Sequence, residues 1–115
     1  MAQCALTLSE LVKRAESLHQ VRKGDLRPGD LVYVKTRNSL YVIRVLGNQK
    51  YIVSGGWFDR KGLSPMKLTI NGCTWGGSII KIDLVAASGL CLEFGNRLVT
   101  SAIKKVVVFP LGCTN

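Results

Sequence analysis

From residue 31 to residue 109 the apolar side chains come in short runs, each cut off by Gly, Pro, Asn, Asp or Ser before a helix could develop. The runs cover 31–34, 40–46, 50–54, 79–86, 90–94, 98–101 and 105–109, and they are rich in Val, Ile, Leu, Tyr and Phe. Such side chains suit a pleated, half-buried surface, and turn-formers at this spacing leave room only for strands. A further short strand is expected at Thr69 and Ile70, ending at Asn71-Gly72. Many short strands in succession imply an antiparallel barrel or sandwich. With 115 residues the chain suits a single domain over 1–115, long enough to bury roughly 65 % of its unfolded surface.

Local turn chemistry supports this reading. Arg27-Pro28-Gly29-Asp30 predicts a turn, because Pro presets one backbone angle and Gly accepts the next. Gly47-Asn48 links two strands and predicts a tight hairpin, both residues tolerating positive φ. The stretch 39–48 can be laid beside 88–96, each running from Ser through an apolar strand into Gly-Asn. That is either a decayed duplication or two hairpins using the same turn. The strand 106–109 is apolar on both faces and so needs cover on its second side.

The N-terminal segment follows another period. Over residues 7–20, Leu8, Leu11, Val12, Ala15 and Leu18 recur on one helical face, and Thr7 with Glu10 makes a capping box. Gly24 stops this helix after Arg22 and Lys23, so it is expected within 7–22, with His19 in its last turn. Its apolar stripe has to be buried, and the 30–110 barrel supplies the surface. The expected fold is therefore mainly β: a small antiparallel barrel of six or seven strands with one N-terminal α-helix packed on it. Its core is expected from Leu31, Tyr33, Val42, Val45, Ile52, Ile80, Ile82, Leu92, Val99 and Val107, a set that a one-residue register slip would partly invert.

Charge is uneven. The chain carries a formal +9, and residues 31–82 hold eight cations against Asp59 alone. Such a segment attracts phosphates or acidic partners, or it only solvates the outer side of strands. Within it, residues 54–78 hold both tryptophans, each beside a glycine pair: Gly55-Gly56-Trp57 and Trp75-Gly76-Gly77. Trp57, Phe58 and Trp75 with Arg60, Lys61 and Lys67 form the aromatic and basic mixture that stacks bases and neutralises phosphates. The competing reading is that the aromatics fill the barrel.

Catalytic and metal chemistry find little support. Gly-x-Ser-x-Gly and the two glycine-rich phosphate motifs do not occur, and Asp59 has no second carboxylate near it in sequence. Cys4, Cys73, Cys91 and Cys113 form no C-x-x-C pair, and the single His has no ligand spacing to them. No enzyme activity, metal or cofactor is expected. No apolar stretch is long enough for a bilayer and no secretory signal is read, so a cytoplasmic protein with reduced thiols and no membrane partner is expected.

The segment Arg27-Pro-Gly-Asp-Leu-Val-Tyr-Val34 resembles the opening of SH3-like small β-barrel domains. That resemblance implies a barrel and no particular activity. PilZ domains offer a second comparison, but both of their motifs fail here: Arg22 and Arg27 stand one position too far apart, and Ile52 replaces the Asp or Asn before Ser54. The expected function is a non-enzymatic binding module with nucleic acid as partner. The alternative is a protein-interaction or self-assembly domain.

Overall fold

The computed structural model describes residues 18–75 and 79–110. Among the described residues ten strands, one 3-10 turn and one short helix follow in order: β1 (Gln20–Arg22), the turn (Lys23–Asp25), β2 (Leu31–Thr36), β3 (Leu40–Gly47), β4 (Lys50–Gly55), α1 (Gly56–Arg60), β5 (Met66–Leu68), β6 (Ile70–Thr74), β7 (Ile80–Lys81), β8 (Leu84–Ala87), β9 (Cys91–Phe94) and β10 (Val99–Phe109). All pairings are antiparallel. Eight strands form one sheet in the order β5-β4-β3-β2-β10-β9-β6-β7, and β1 pairs with β8 in a separate two-stranded sheet.

The mainly β, antiparallel character is as expected, but the closed barrel is not. Among the described residues no ladder joins the two ends of the large sheet. Instead β5 runs into β6 across Thr69, so one stretch of chain leaves the β4 edge and joins the β9 edge. A strand continuing in this way carries the sheet around the core without pairing edge to edge.

The helix expected within 7–22 needs correction where it is described. Gln20–Arg22 is a strand, and His19 accepts a hydrogen bond at its carbonyl from Ser88 N–H, 2.9 Å away. Pairing with β8 buries Val21 against the core, which outweighs the local helical pattern there. Residues 7–17 lie outside the described residues. Among the described residues no helix is long and apolar enough to cross a membrane.

The first hairpins follow their turn chemistry. Gly29 takes φ 96°, and Asp30 N–H bonds the Arg27 carbonyl at 3.0 Å, closing the expected turn before β2. Asp30 Oδ2 accepts from Arg27 N–H at 2.9 Å. The β3–β4 turn sits one residue later than expected: Asn48 and Gln49 carry φ 52° and 60°. That left-handed pair matches the twist of the hairpin. The β9–β10 link differs, with a left-handed non-glycine only at Arg97 (φ 71°), so the two Gly-Asn segments do not share one turn.

Three strand boundaries differ from expectation. The run 79–86 is broken by a turn at Ile82-Asp83 into β7 and β8. The runs 98–101 and 105–109 merge into the single eleven-residue β10, which bulges at Lys104 between Ile103↔Thr36 and Lys105↔Lys35. The strand expected to end at Asn71-Gly72 passes through Gly72, whose φ of 142° leaves room for the Lys81 carbonyl where a Cβ would overlap it.

The core lies inside the bent sheet. Val32, Val34, Tyr41, Ile43, Tyr51 and Val53 line it from β2–β4, and Leu92, Phe94, Ile103, Val106 and Val85 close it from the other side. At its centre Phe58 stands edge-on to Phe94 (5.2 Å between centroids) and to Tyr41 (6.1 Å).

Of the ten expected core residues, Tyr33, Val45, Leu92 and Val107 are buried. Leu31, Val42 and Ile52 are half-buried, and Ile80, Ile82 and Val99 are exposed. The reason is register. Leu31, Tyr33, Val42, Ile52 and Val107 share the outer face of β2–β4 and β10, while their neighbours fill the inner one. Both faces are apolar, so alternation cannot tell them apart.

Candidate functional site

Helix α1 grows from the end of β4 because Gly55 and Gly56 allow the chain to turn there. Gly55 has φ 93° and ψ −179°, a region open essentially only to glycine, and a Cβ on it would overlap the Leu40 carbonyl oxygen. Asp59 Oδ1 accepts from Gly55 N–H at 3.1 Å, and Trp57 N–H donates to the Tyr41 hydroxyl at 3.2 Å. Asp59, the one carboxylate in 31–82, is thus used to hold the helix start.

This geometry separates the six residues singled out above. Phe58 is completely buried and belongs to the core, a correction to its candidate role, since no ligand reaches it. Trp57 is half-buried and packs edge-on against Phe58 at 5.3 Å. Arg60 and Lys61 are exposed at the end of α1, and Arg60 Nη1 donates to Ser39 Oγ at 3.1 Å. Lys67 is exposed on β5, paired with Ile52 three residues back from Gly55, and so lies away from the others. Trp75 follows β6 and stays 61 % exposed, so it fills no core.

Hydrogen bonding nevertheless links Trp75 and the α1 cations along one line, or rim, across the sheet. Thr74, just before Trp75, pairs with Cys91, and Cys91 pairs with Ala102. The Ala102 carbonyl accepts from Arg37 N–H at 2.9 Å, and Asn38 N–H donates to Ser101 Oγ at 3.3 Å. From this β2–β3 turn, Ser39 reaches Arg60, and Leu40 lies against Gly55 at the root of α1. This rim is a line across the sheet: β9 and β6 lie on its Val99 side, β2, β3 and β4 on its Phe109 side, and β10 runs through it, so that five inter-strand steps span about 24 Å along the sheet. The rim is anchored by Thr36 and Ser39, whose mutual bonds (Thr36 N–H to Ser39 O, 2.8 Å; Ser39 N–H to Thr36 Oγ1, 3.0 Å) pin the turn.

Two cations that the sequence reading did not single out belong here. Arg37 is exposed on the β2–β3 turn, and Lys104 is exposed at the β10 bulge opposite Thr36. Only the pairing across β10 brings Lys104 beside Arg37. A basic residue in a non-alternating apolar strand was the one local sign of a bulge.

Next to the β6 end of this rim is a cleft of about 220 Å³ between the β6–β7 hairpin and the β1–β8 pair. Trp75 and Lys81 line one side, with the Lys81 ammonium 5.6 Å from the indole centroid. His19, Gln20 and Ser88 line the other. A second, wider hollow of about 600 Å³ lies by Lys23, Asn71 and Asp83. Burial lowers the Lys23 ammonium below its usual range, with Asp83 nearby acting in the opposite direction.

Among the described residues the free thiols are Cys73 and Cys91, and no three His, Cys, Asp or Glu side chains converge as metal ligands would. Burial pushes the Cys73 thiol up to about 12, so it stays protonated and unreactive in the fold. No family model matches the chain, and no curated protein or solved structure matches it either.

Proposed function

We propose that the chain is a non-enzymatic nucleic-acid-binding module whose contact surface is the rim from Trp75 to Lys61. The observation that carries this reading is the β6-β9-β10-β2-β3 hydrogen-bond succession, which gathers Trp75, Lys104, Arg37, Arg60 and Lys61 from four separate stretches of sequence. Exposed guanidinium and ammonium groups spaced along about 24 Å suit a phosphate backbone, and one exposed indole offers a base a stacking face. Single strands are preferred over duplex, because stacking on Trp75 requires an unpaired base. With little base-edge readout, binding is weakly sequence-specific.

Fluorescence anisotropy with single-stranded and duplex oligonucleotides at low salt tests this. Four phosphate contacts from Arg37, Arg60, Lys61 and Lys104 give a log–log salt slope of roughly −3 for a single strand. Each single Ala substitution should make that slope shallower by about 0.7, whereas Lys67→Ala should leave it unchanged. Absence of binding at micromolar protein sinks the reading.

A second reading, protein interaction or self-assembly, draws on a different observation. Ile79, Ile80 and Ile82 are exposed around β7, the last strand of the large sheet. An apolar edge of this kind pairs readily with another chain. The outer face of β10, by contrast, no longer argues for it, because Val107 and Tyr33 are each only 3 % exposed within one chain. Light scattering separates the two: a strict monomer at tens of micromolar removes self-assembly through β7, and a dimer lost in Ile82→Lys supports it.

A further inference from the structure

The cleft beside Trp75 has the composition of a small ligand site, and nothing in the rim reading uses its interior. Its lining is mixed: Leu84, Ala87 and Leu90, all three buried, add apolar surface to a larger polar share from residues such as Gln20 and Ser88. One wall is the Trp75 indole, the other includes His19, and Lys81 brings the only ammonium. At about 220 Å³ it falls below the ~300 Å³ where drug-sized pockets begin, so it admits one ring system and not an extended molecule.

The walls select for a planar aromatic group carrying negative charge. The indole attracts a flat ring by stacking, and Leu84, Ala87 and Leu90 offer the ring's edge an apolar contact. The Lys81 ammonium already rests over that indole at 5.6 Å, which places a cation within reach of whatever stacks there. A ring entering between them takes over the indole face and frees the ammonium to meet an anion bonded to the ring's own scaffold. A nucleobase with its attached phosphate satisfies both demands at once.

We propose that this cleft is a single-nucleotide subsite, with the base stacked on Trp75 and the phosphate held by Lys81. The proposal rests on the nucleic-acid reading of the rim and deepens it. Leu90 directly precedes Cys91 of β9, so the cleft opens where the rim begins and is placed to take the terminal or flipped-out base of a strand lying along it. Free nucleotide and strand-borne nucleotide share this chemistry, and the experiment distinguishes them.

Calorimetric titration of the full chain with adenosine 5′-monophosphate, adenosine and ribose 5-phosphate is the test, run beside oligonucleotide anisotropy. Quenching of Trp75 fluorescence in a Trp57→Phe background gives a second readout. The monophosphate should bind, adenosine more weakly, and ribose 5-phosphate not measurably. Trp75→Ala should weaken the monophosphate roughly five- to hundredfold, the range of one base stacked on one ring, while Trp75→Phe keeps most of it. Lys81→Met should reduce the monophosphate to the level of adenosine.

Equal binding of ribose 5-phosphate and the monophosphate overturns the stacking site. So does an oligonucleotide affinity unchanged in Trp75→Ala together with no monophosphate binding, and in that case the phosphate contacts of the rim reading stand while its stacking on Trp75 falls. Monophosphate binding without oligonucleotide binding upholds the cleft as a free-nucleotide site and overturns the rim. Trp75 and Lys81 are both exposed, so their variants are expected to stay folded.

Discussion

Phe58→Ala separates filling the core from contacting a ligand more sharply than any other substitution in this chain. Phe58 has no exposed surface and stands edge-on to three aromatic rings: Phe94 at 5.2 Å, Trp57 at 5.3 Å and Tyr41 at 6.1 Å. Truncating a buried Phe costs about 3–5 kcal/mol, made up of lost transfer energy and the cavity left behind. The upper half of that range applies here, because α1 is pinned by the Gly55 N–H to Asp59 Oδ1 and Trp57 N–H to Tyr41 hydroxyl bonds, so it cannot easily collapse inward. Domains of this size are stable by roughly 5–15 kcal/mol, so the variant should remain folded at low temperature with a much reduced margin. Melting should fall by roughly 10–25 °C.

Urea denaturation followed by tryptophan fluorescence is the assay, with Trp57 reporting directly on the site of change. The midpoint should drop with the slope unchanged, since the surface exposed on unfolding is nearly the same. Phe58→Leu should cost much less, because most of the volume is kept. At a temperature where the variant is folded, oligonucleotide affinity should match the parent. A loss below about 1 kcal/mol at constant slope, or an affinity lost while the fold is intact, would refute the assignment of Phe58 to the core.

Gly55→Ala should destabilise by more than about 2 kcal/mol in the same assay, since it meets both a glycine-only backbone conformation and the Leu40 carbonyl, whereas Gly62→Ala has open space around its Cβ and carries only the strain of φ 68°. Alkylation mapped by mass spectrometry should modify Cys91 before Cys73, whose burial raises its thiol from 9.0 to about 12, and Cys73 should react only as the protein unfolds. Stability should fall above about pH 9: burial raises Cys73, Tyr33 and Tyr51, so each folds neutral and loses its contribution as pH rises through the unfolded value toward the folded one. Lys23, lowered chiefly by burial, acts with the opposite sign over the same range, so a Lys23→Met variant should show a steeper alkaline decline and Cys73→Ala a shallower one.

What the sequence makes legible here is local. The Arg27–Asp30 turn, the span of β3 and the start of β4 follow from residues that dictate their own backbone angles, and these agree with the structure. Side-chain alternation fails as a guide to the core in β2, where Val32, Tyr33 and Val34 are all buried. With apolar groups on both faces, the pleat carries no label for inside. β1 was invisible for the reverse reason: three residues with one buried Val show no period, and only the pairing with β8 makes them a strand. Closure of the sheet is a long-range property, settled by which edges β5 and β6 choose, and no window of sequence contains both edges.

The same distinction runs through the candidate site. Sequence proximity gathers Trp57, Phe58, Arg60, Lys61, Lys67 and Trp75 into one segment, yet the fold places Phe58 in the core and Lys67 away from the rim. Arg37 and Lys104, sixty-seven positions apart, become rim neighbours only because the β10 bulge at Lys104 shifts that strand against Thr36. The bulge is therefore the element that joins fold to site. Deleting Lys104 removes one charge and also lets Ile103↔Thr36 and Lys105↔Lys35 follow each other in a regular ladder, with Val106 still opposite Val34. Lys104→Gln removes the charge alone. If the rim binds phosphates as proposed, the substitution should make the salt slope shallower by about 0.7, and the deletion, which keeps Val106 on its core face, should do the same without costing several kcal/mol of stability. A loss of several kcal/mol in the deletion alone would mean that the strand slips by one residue and turns Val106 away from the core, and the neighbourhood of Arg37 and Lys104 at a bulge would lose its structural basis.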